Sequence, residues 1–263
     1  MQKKIILLIK SSDFQNYLAN KLFQNNLIDT VILEEGTSIK LSEKITYRKI
    51  IKNINIFLNF KNLFYKIYQF LMFDKFYGNK KFFNNKILGK EKVFLNKSIF
   101  LKKTKSVNSS KIINFISSKK YKNVIVFGTS ILNMKKFKKI NVNLINLHWG
   151  YSPNYRGEGI VSALSKADYQ KLGVTIHQIS NVIDKGNIIF RKKVKINLKD
   201  NFYSIGLKMT KAATKILLEK KFYENLSIKR IKSQNKGFLY DSKFMKKNYK
   251  MFYMAYKNIK LLK

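Results

Sequence analysis

Asn146, Leu147 and His148 close an apolar run, 144–147, just before a loop that holds Gly150, Pro153, Gly157 and Gly159. In extended chain, positions i and i+2 point the same way. The Asn146 amide and the His148 imidazole therefore project side by side at the carboxyl edge of a strand, where open parallel sheets bind ligands. Such a pair either satisfies a turn or does chemistry, and its spacing alone leaves both readings open. The surrounding punctuation is concentrated. The only proline, Pro153, the only tryptophan, Trp149, both histidines, His148 and His177, and six of the eleven glycines fall between 128 and 186. Glycine and proline fix special backbone geometry, so this stretch makes the most demanding turns of the chain. Cysteine is absent, which removes disulfides, thiolate metal sites and cysteine nucleophiles. Two histidines also argue against a multi-histidine metal centre, and no metal is expected.

The elements that position these residues read as an α/β pattern. Lys4 to Ile9 is a short, nearly all-apolar strand, Phe14 to Asn25 a helix-length segment with Leu18, Leu22 and Phe23 on one face, and Thr30 to Leu33 a β-branched strand. A β-α-β start predicts a mostly parallel, open Rossmann-like sheet with helices on both faces. The turn after strand one, Lys10-Ser11-Ser12-Asp13, has no glycine, so neither a P-loop nor the GxGxxG fingerprint is present. Further strands are expected at 98–101, 123–127, 144–147, 174–179 and 188–192, with helices from Asn108 or Ser109 to Ile116 and from Phe202 to Lys221. Segment 41–73 has apolar residues mostly three and four apart, the period of an amphipathic helix. Segment 77–97 reads as an Asn/Lys-rich loop or insert. The expected organisation is a catalytic domain over 1–221 with a basic helical insert at about 37–97, then a basic C-terminal extension, 222–263, that wraps the domain or stays partly loose.

The charge is extreme: 54 Lys plus Arg against 14 Asp plus Glu give a net +40 over 263 residues. Such a charge suggests nucleic acid or an anionic membrane surface. Only four of the cations are Arg, whereas dedicated readers of phosphate and bases rely on the bidentate geometry of Arg. The stretch 140–190 carries only +1. A solvated lysine coat around a nearly neutral segment is the favoured reading, and nucleic-acid binding the less favoured one. The apolar run Ile5 to Ile9 is five residues, short of the roughly 7 to 15 of a secretory core. Segment 56–73 is interrupted by Lys61 and Lys66, where a span needs about 20 mostly apolar residues. No transmembrane segment and a cytoplasmic location are therefore expected.

Four blocks, in order and spacing, resemble the folate-dependent formyltransferase family: Asn146-Leu147-His148, Pro153-Asn154-Tyr155-Arg156-Gly157, Gly173-Val174-Thr175-Ile176-His177 and Ile183-Asp184-Lys185-Gly186-Asn187-Ile188. Upstream, the segment from Val124 to Leu132 resembles the strand and loop that hold the pterin ring in that family. The resemblance covers about 98–195, is weaker at the first strand and is absent from about 37 to 97. It implies Asn146, His148 and Asp184 as catalytic residues, 10-formyltetrahydrofolate as formyl donor, and a primary amine as acceptor. It further implies Ser130, Ile131, Leu132 and Ile183 as the lining of the pterin pocket. A physical account fits the three side chains. Amine attack on the formyl carbon makes a tetrahedral oxyanion to which the Asn146 NH2 and a His148 N–H can donate, while Asp184 orients the imidazole and relays a proton through water. Arg156 contacts a substrate phosphate or braces its loop, and His177 makes a polar contact near the site or is a satisfied strand histidine. Asp168, Glu34 and Glu35 read as surface or strand-end carboxylates.

Departures from the family bear on the acceptor. The glycine-rich phosphate loop of the purine-pathway branch, phosphoribosylglycinamide formyltransferase, is missing. The methionyl-tRNA branch carries a C-terminal barrel domain, and only 42 residues follow Lys221. The expectation is a small anionic acceptor, an amino-sugar nucleotide first, with those two branches as alternatives. A basic nucleic-acid or membrane-surface protein on a degenerate formyltransferase scaffold is the alternative of another class.

Overall fold

The computed structural model describes residues 5–10, 12–35, 88, 100–119, 121–228, 237–248 and 250–262. The expected helix at 41–73, and the insert at 37–97 apart from Leu88, lie outside the described residues. The chain begins with strand β1 (Ile5–Lys10), helix α1 (Asp13–Gln24) and strand β2 (Ile28–Glu34). β3 (Phe100–Thr104), α2 (Ser110–Ser118), β4 (Asn123–Phe127), α3 (Met134–Phe137) and β5 (Asn143–His148) follow. Then come β6 (Tyr155–Gly157), α4 (Gly159–Ser165), β7 (Gly173–Gln178) and β8 (Ile188–Lys193). The C-terminal part holds α5 (Phe202–Leu218), α6 (Lys220–Ile228), β9 (Phe238–Tyr240), α7 (Ser242–Lys247) and α8 (Lys250–Lys260).

Seven strands form one sheet in the order β3-β2-β1-β4-β5-β7-β8. The pairs from β3 to β5 are parallel, and β5–β7 and β7–β8 are antiparallel. The chain moves one way from β1 to β3 and the other way from β4 onward, so the reversal of strand order falls between β1 and β4. A crevice outside the carboxyl ends of the strands is expected there.

Strand periodicity sorts the core. Ile5, Leu7 and Ile9 of β1, with Ile125, Phe127, Ile145 and Leu147, pack on the face covered by α1 and α5. Ile6 and Leu8, with Val124, Val126 and Leu144, pack on the face covered by α2 and α3. All five residues Ile5 to Ile9 are fully buried, which explains an unbroken apolar run instead of an alternating one. The α5 start is fixed by a reciprocal cap: Ser204 N donates to Asn201 Oδ1 at 3.0 Å and Asn201 N to Ser204 Oγ at 3.0 Å. The helix expected through Lys221 ends at Leu218, because Glu219 is extended, with ψ 130°.

The C-terminal residues wrap the domain. β9 pairs in parallel with β6, through Tyr155–Phe238, Arg156–Leu239 and Gly157–Tyr240. Phe252, Ala255 and Ile259 of α8 share a buried cluster with Ile160 and Leu164 of α4. The boundary expected between 221 and 222 falls inside α6, and Phe222 is fully buried. Among the described residues, no helix is long and apolar enough to cross a membrane.

Candidate active site

Asn146 and His148 lie on the α2/α3 face of β5 at its carboxyl end, as their spacing requires. Across the antiparallel ladder Asn146 stands opposite His177, and His148 opposite Thr175. Directly opposed residues in such a pair share a face and nearly touch. His177 Nε2 accordingly lies 3.2 Å from Asn146 Nδ2. Asp184 comes from the β7–β8 loop with φ 49°, a left-handed conformation that Asp tolerates better than most residues. That geometry turns its carboxylate back over the end of β5.

The carboxylate is the hub. Its Oδ1 accepts from Asn146 Nδ2 at 2.9 Å and lies 3.5 Å from His177 Nε2. Its Oδ2 accepts from the Gly157 backbone N–H at 3.0 Å and lies 3.3 Å from His148 Nδ1. His148 Nε2 lies 2.9 Å from the Tyr155 carbonyl, which can only accept, so that nitrogen carries a proton. His177 Nδ1 lies 2.7 Å from the Gln178 carbonyl and is protonated by the same reasoning. Its Nε2 stands between Asn146 Nδ2 and Asp184 Oδ1. Burial alone would raise the Asp184 pKa. His148, then the hydrogen bond and charge of His177, then the Gly157 N–H outweigh it and hold the carboxyl well below the usual range.

This packing leaves no room for a side chain at Gly150. A Cβ there would lie 2.2 Å from His148 Nε2 and 2.4 Å from the Tyr155 carbonyl oxygen. Gly157, with φ 77°, sits under the Tyr240 carbonyl, where a Cβ would lie 2.4 Å away. Tyr155 itself is anchored by its hydroxyl, which donates to Asp168 Oδ2 at 2.8 Å. Asp168 also pairs with Lys171, so it braces this loop.

The cluster opens into a cavity of about 520 Å³ over the carboxyl ends of β4 and β5. One wall is the 128–132 loop and another the 179–183 loop, so Ser130, Ile131, Leu132 and Ile183 all line it. Ile131 is 72% exposed and Val182 48%, giving the mouth two apolar lips. The 128–132 loop is held by Glu34, a buried strand-end carboxylate that accepts from Ser130 N at 2.6 Å and Ser130 Oγ at 2.7 Å. Apolar lips on two loops facing a cavity of this size suit a flat heteroaromatic ring, so the residues present fit the pterin of a folate. Arg156 braces its loop: Nη2 donates to the Gly237 carbonyl at 2.8 Å and Nη1 to that of Ile183 at 3.4 Å.

Other lining residues carry no motif. Gln15 and Trp149 reach the cavity, with Gln15 Oε1 and Trp149 Nε1 buried without a hydrogen-bond partner among the described residues. Leu239, Tyr240, Asp241 and Ser242 complete the wall from β9 and the start of α7. The signal for them was local: Gly237, then an apolar trio, then Asp241 and Ser242, reads as a turn, a strand and a helix cap. Asp241 does cap α7, accepting from Phe244 N at 2.8 Å.

The Formyl transferase family model matches residues 75–220, more than half of the chain. The chain belongs to the formyltransferase family. The match begins at 75, upstream of the point near 98 where the motifs start, so the stretch expected to lack the resemblance is shorter than 37–97. Methionyl-tRNA formyltransferase of Leptospira interrogans is 32% identical over 96 residues, 36% of this chain and 30% of that protein. The dTDP-4-amino-4,6-dideoxyglucose formyltransferase of Mycobacterium bovis is 33% identical over 78 residues, 30% of this chain and 33% of that one. The chain thus matches about a third of the length of these curated relatives. Among solved structures, the N-formyltransferase of Helicobacter canadensis, in complex with folinic acid and dTDP-3-aminofucose, superposes with TM-score 0.55 at 14% identity. That superposition covers 100% of this chain and 81% of the other, and it places the fold among formyltransferases.

Proposed function

We propose that this formyltransferase moves a formyl group from 10-formyltetrahydrofolate to the primary amine of a small anionic acceptor, an amino-sugar nucleotide. The observation that carries the reading is the convergence of Asn146, His148 and Asp184, within 3.3 Å of one another through Asp184, at the mouth of a cavity fitting a pterin. The donor supplies an electrophilic formyl carbon, and the rest is positioning and proton transfer by the chain. Asp184, whose depressed pKa keeps its carboxylate charged, stands 3.3 Å from His148 Nδ1 and orients the imidazole. On this reading His148 and Asn146 supply the donors to the formyl oxygen as it gains negative charge, and one such donor is worth several kcal/mol, about 2.7 to 4. In the resting arrangement both hydrogens of the Asn146 amide face Asp184 and His177, and His148 Nε2 faces the Tyr155 carbonyl. Binding must turn one of these donors toward the cavity, and Asp184 then retains the other contacts. No covalent enzyme intermediate is needed.

Two observations favour the amino-sugar acceptor. Relatives include a dTDP-amino-sugar formyltransferase, and a protein of the same fold binds folinic acid with dTDP-3-aminofucose. The glycine-free turn 10–13 speaks against glycinamide ribonucleotide. The test is incubation of the full chain with formyl-labelled 10-formyltetrahydrofolate and a panel of amino-sugar nucleotides, glycinamide ribonucleotide and methionyl-tRNA. Label is expected on an amino-sugar nucleotide, and label on methionyl-tRNA alone would replace this reading.

A further inference from the structure

None of the described residues lining the cavity is Lys or Arg, although the chain has 54 of them. Three carboxylates line it: Asp184, Asp241 and Glu158. Asp184 is fully engaged by Asn146, His148, His177 and Gly157, and Asp241 caps α7. Glu158 is different. Its backbone is committed, with its N–H donating to the Tyr240 carbonyl at 2.9 Å and its carbonyl accepting from Ser162 N and Oγ. Although it stands at the cap position of α4, its side chain accepts no capping bond. The residue is exposed and lines the cavity, and no cation or hydrogen-bond donor stands on its carboxylate among the described residues. It also follows directly on Gly157, whose N–H holds Asp184, so it borders the reacting centre.

Of the three carboxylates that line the cavity, Glu158 alone has no side-chain partner among the described residues, and no lysine or arginine lines the cavity to neutralise it, so its charge suits a positive ligand. Resting on the formyl-transfer reading, we propose that Glu158 is the group that recognises the acceptor: it pairs with the ammonium of the incoming amine and takes its proton. The steps balance. R–NH3+ gives one proton to the Glu158 carboxylate and becomes R–NH2. The amine lone pair forms the new N–C bond at the formyl carbon, and the old C–N10 bond breaks. The second amine proton travels by way of Asp184 and water to the departing nitrogen. The products are R–NH–CHO and tetrahydrofolate, and Glu158 releases its proton to solvent. The negative wall also offsets the field of the lysine coat, which would otherwise repel an ammonium. The anionic part of the acceptor then lies outside this cavity, toward the lysines.

The environment supports proton uptake. Crowding by protein atoms, and secondarily the charge of Asp184, raise the Glu158 pKa, although part of the residue is exposed. A raised value brings the carboxylate closer to the operating pH, which suits a proton acceptor. The titratable groups facing the same space are His148, His177, Asp184, Tyr240 and Asp241.

The experiment uses the full chain loaded with tetrahydrofolate and compares wild type, Glu158→Gln and Glu158→Asp. Calorimetry measures binding of dTDP-4-amino-4,6-dideoxyglucose against its 4-hydroxyl counterpart, from pH 5 to 9. Wild type should prefer the amine by about tenfold or more, the scale expected of a charge pair in a recess. Glu158→Gln should lose that preference, Glu158→Asp should keep part of it, and tetrahydrofolate affinity should not change. The wild-type preference should fade as the pH falls through the raised pKa, and the Gln variant should not show that limb. Equal binding of the two sugars by wild type, absence of binding included, or an undiminished preference in Glu158→Gln, overturns the proposal. Formyl transfer is assayed separately. A preserved amine preference without turnover would count against the transfer reading and leave the role of Glu158 standing.

Discussion

The edge of the sheet at β3 and the cavity at the end of β5 show opposite uses of charge. At β3, Phe100 is 49% exposed and stacks on Phe115 with centroids 5.6 Å apart. Lys102 and Lys119 sit over the Phe115 ring at 4.1 and 5.0 Å. The cations there rest on ring faces, and each contact of this kind contributes about 0.5 to 1 kcal/mol at an exposed site. In the cavity, lysine is excluded among the described residues, and two imidazoles and an amide surround one ionised carboxylate. Removing any one of them leaves a buried polar group unpaired, which costs far more than losing a surface contact. Among the described residues, then, lysine gathers at the sheet edge and is kept out of the cavity lining that the transfer reading needs.

The largest expected effect is on turnover. His148→Ala or Asp184→Ala should lower the formyl-transfer rate about 100- to 1,000-fold or more, measured as label transfer at saturating donor with circular dichroism to verify the fold. Asp184→Asn should lose as much activity but less stability than Asp184→Ala, since Asn tolerates the left-handed backbone at φ 49°.

Next is packing. Gly150→Ala should destabilise the domain by about 1 to 3 kcal/mol, the usual range for overpacking, because its Cβ would meet His148 and the Tyr155 carbonyl. Thermal denaturation checks this, and a melting temperature unchanged from wild type would show that the loop yields without cost.

The acid limb of stability comes third. Asp184 is held below its unfolded value, which is about 3.9 for a free Asp. The stability it contributes is therefore present above about pH 4 and is lost as the pH falls through the folded value. Urea denaturation at pH 6 and pH 3 should show a larger drop for wild type than for Asp184→Asn. The smallest effect belongs to the coat: Lys102→Gln and Lys119→Gln should each change stability by less than about 1 kcal/mol and leave transfer intact. A large loss of transfer there would erase the contrast between the two regions.

Much of this was readable from the chain because it is local. The unbroken apolar run at Ile5 to Ile9 reads as a doubly covered strand, and the two-residue spacing puts Asn146 and His148 on one face. What was not readable depends on pairing across distance. His177 meets Asn146 only because β7 runs antiparallel to β5, and no residue in β7 announces its direction. Strand β9 has a local signal in its lysine-rich tail, but that it pairs with β6 and builds a wall of the cavity is not written there. Glu34 looked like a strand-end carboxylate, and it is one; that it fixes the loop at Ser130 needed β2 and β4 on either side of β1. The helix expected to end at Lys221 stops at Leu218, for no reason legible in the apolar spacing, which continues into α6.

The account stands most directly on a single-turnover comparison of wild type with His148→Asn and Asp184→Asn, each preloaded with labelled 10-formyltetrahydrofolate and mixed with the amino-sugar acceptor. Equal donor binding by all three proteins, with transfer at least about 100-fold slower in both variants, is the result predicted. Transfer at the wild-type rate by either folded variant would contradict it.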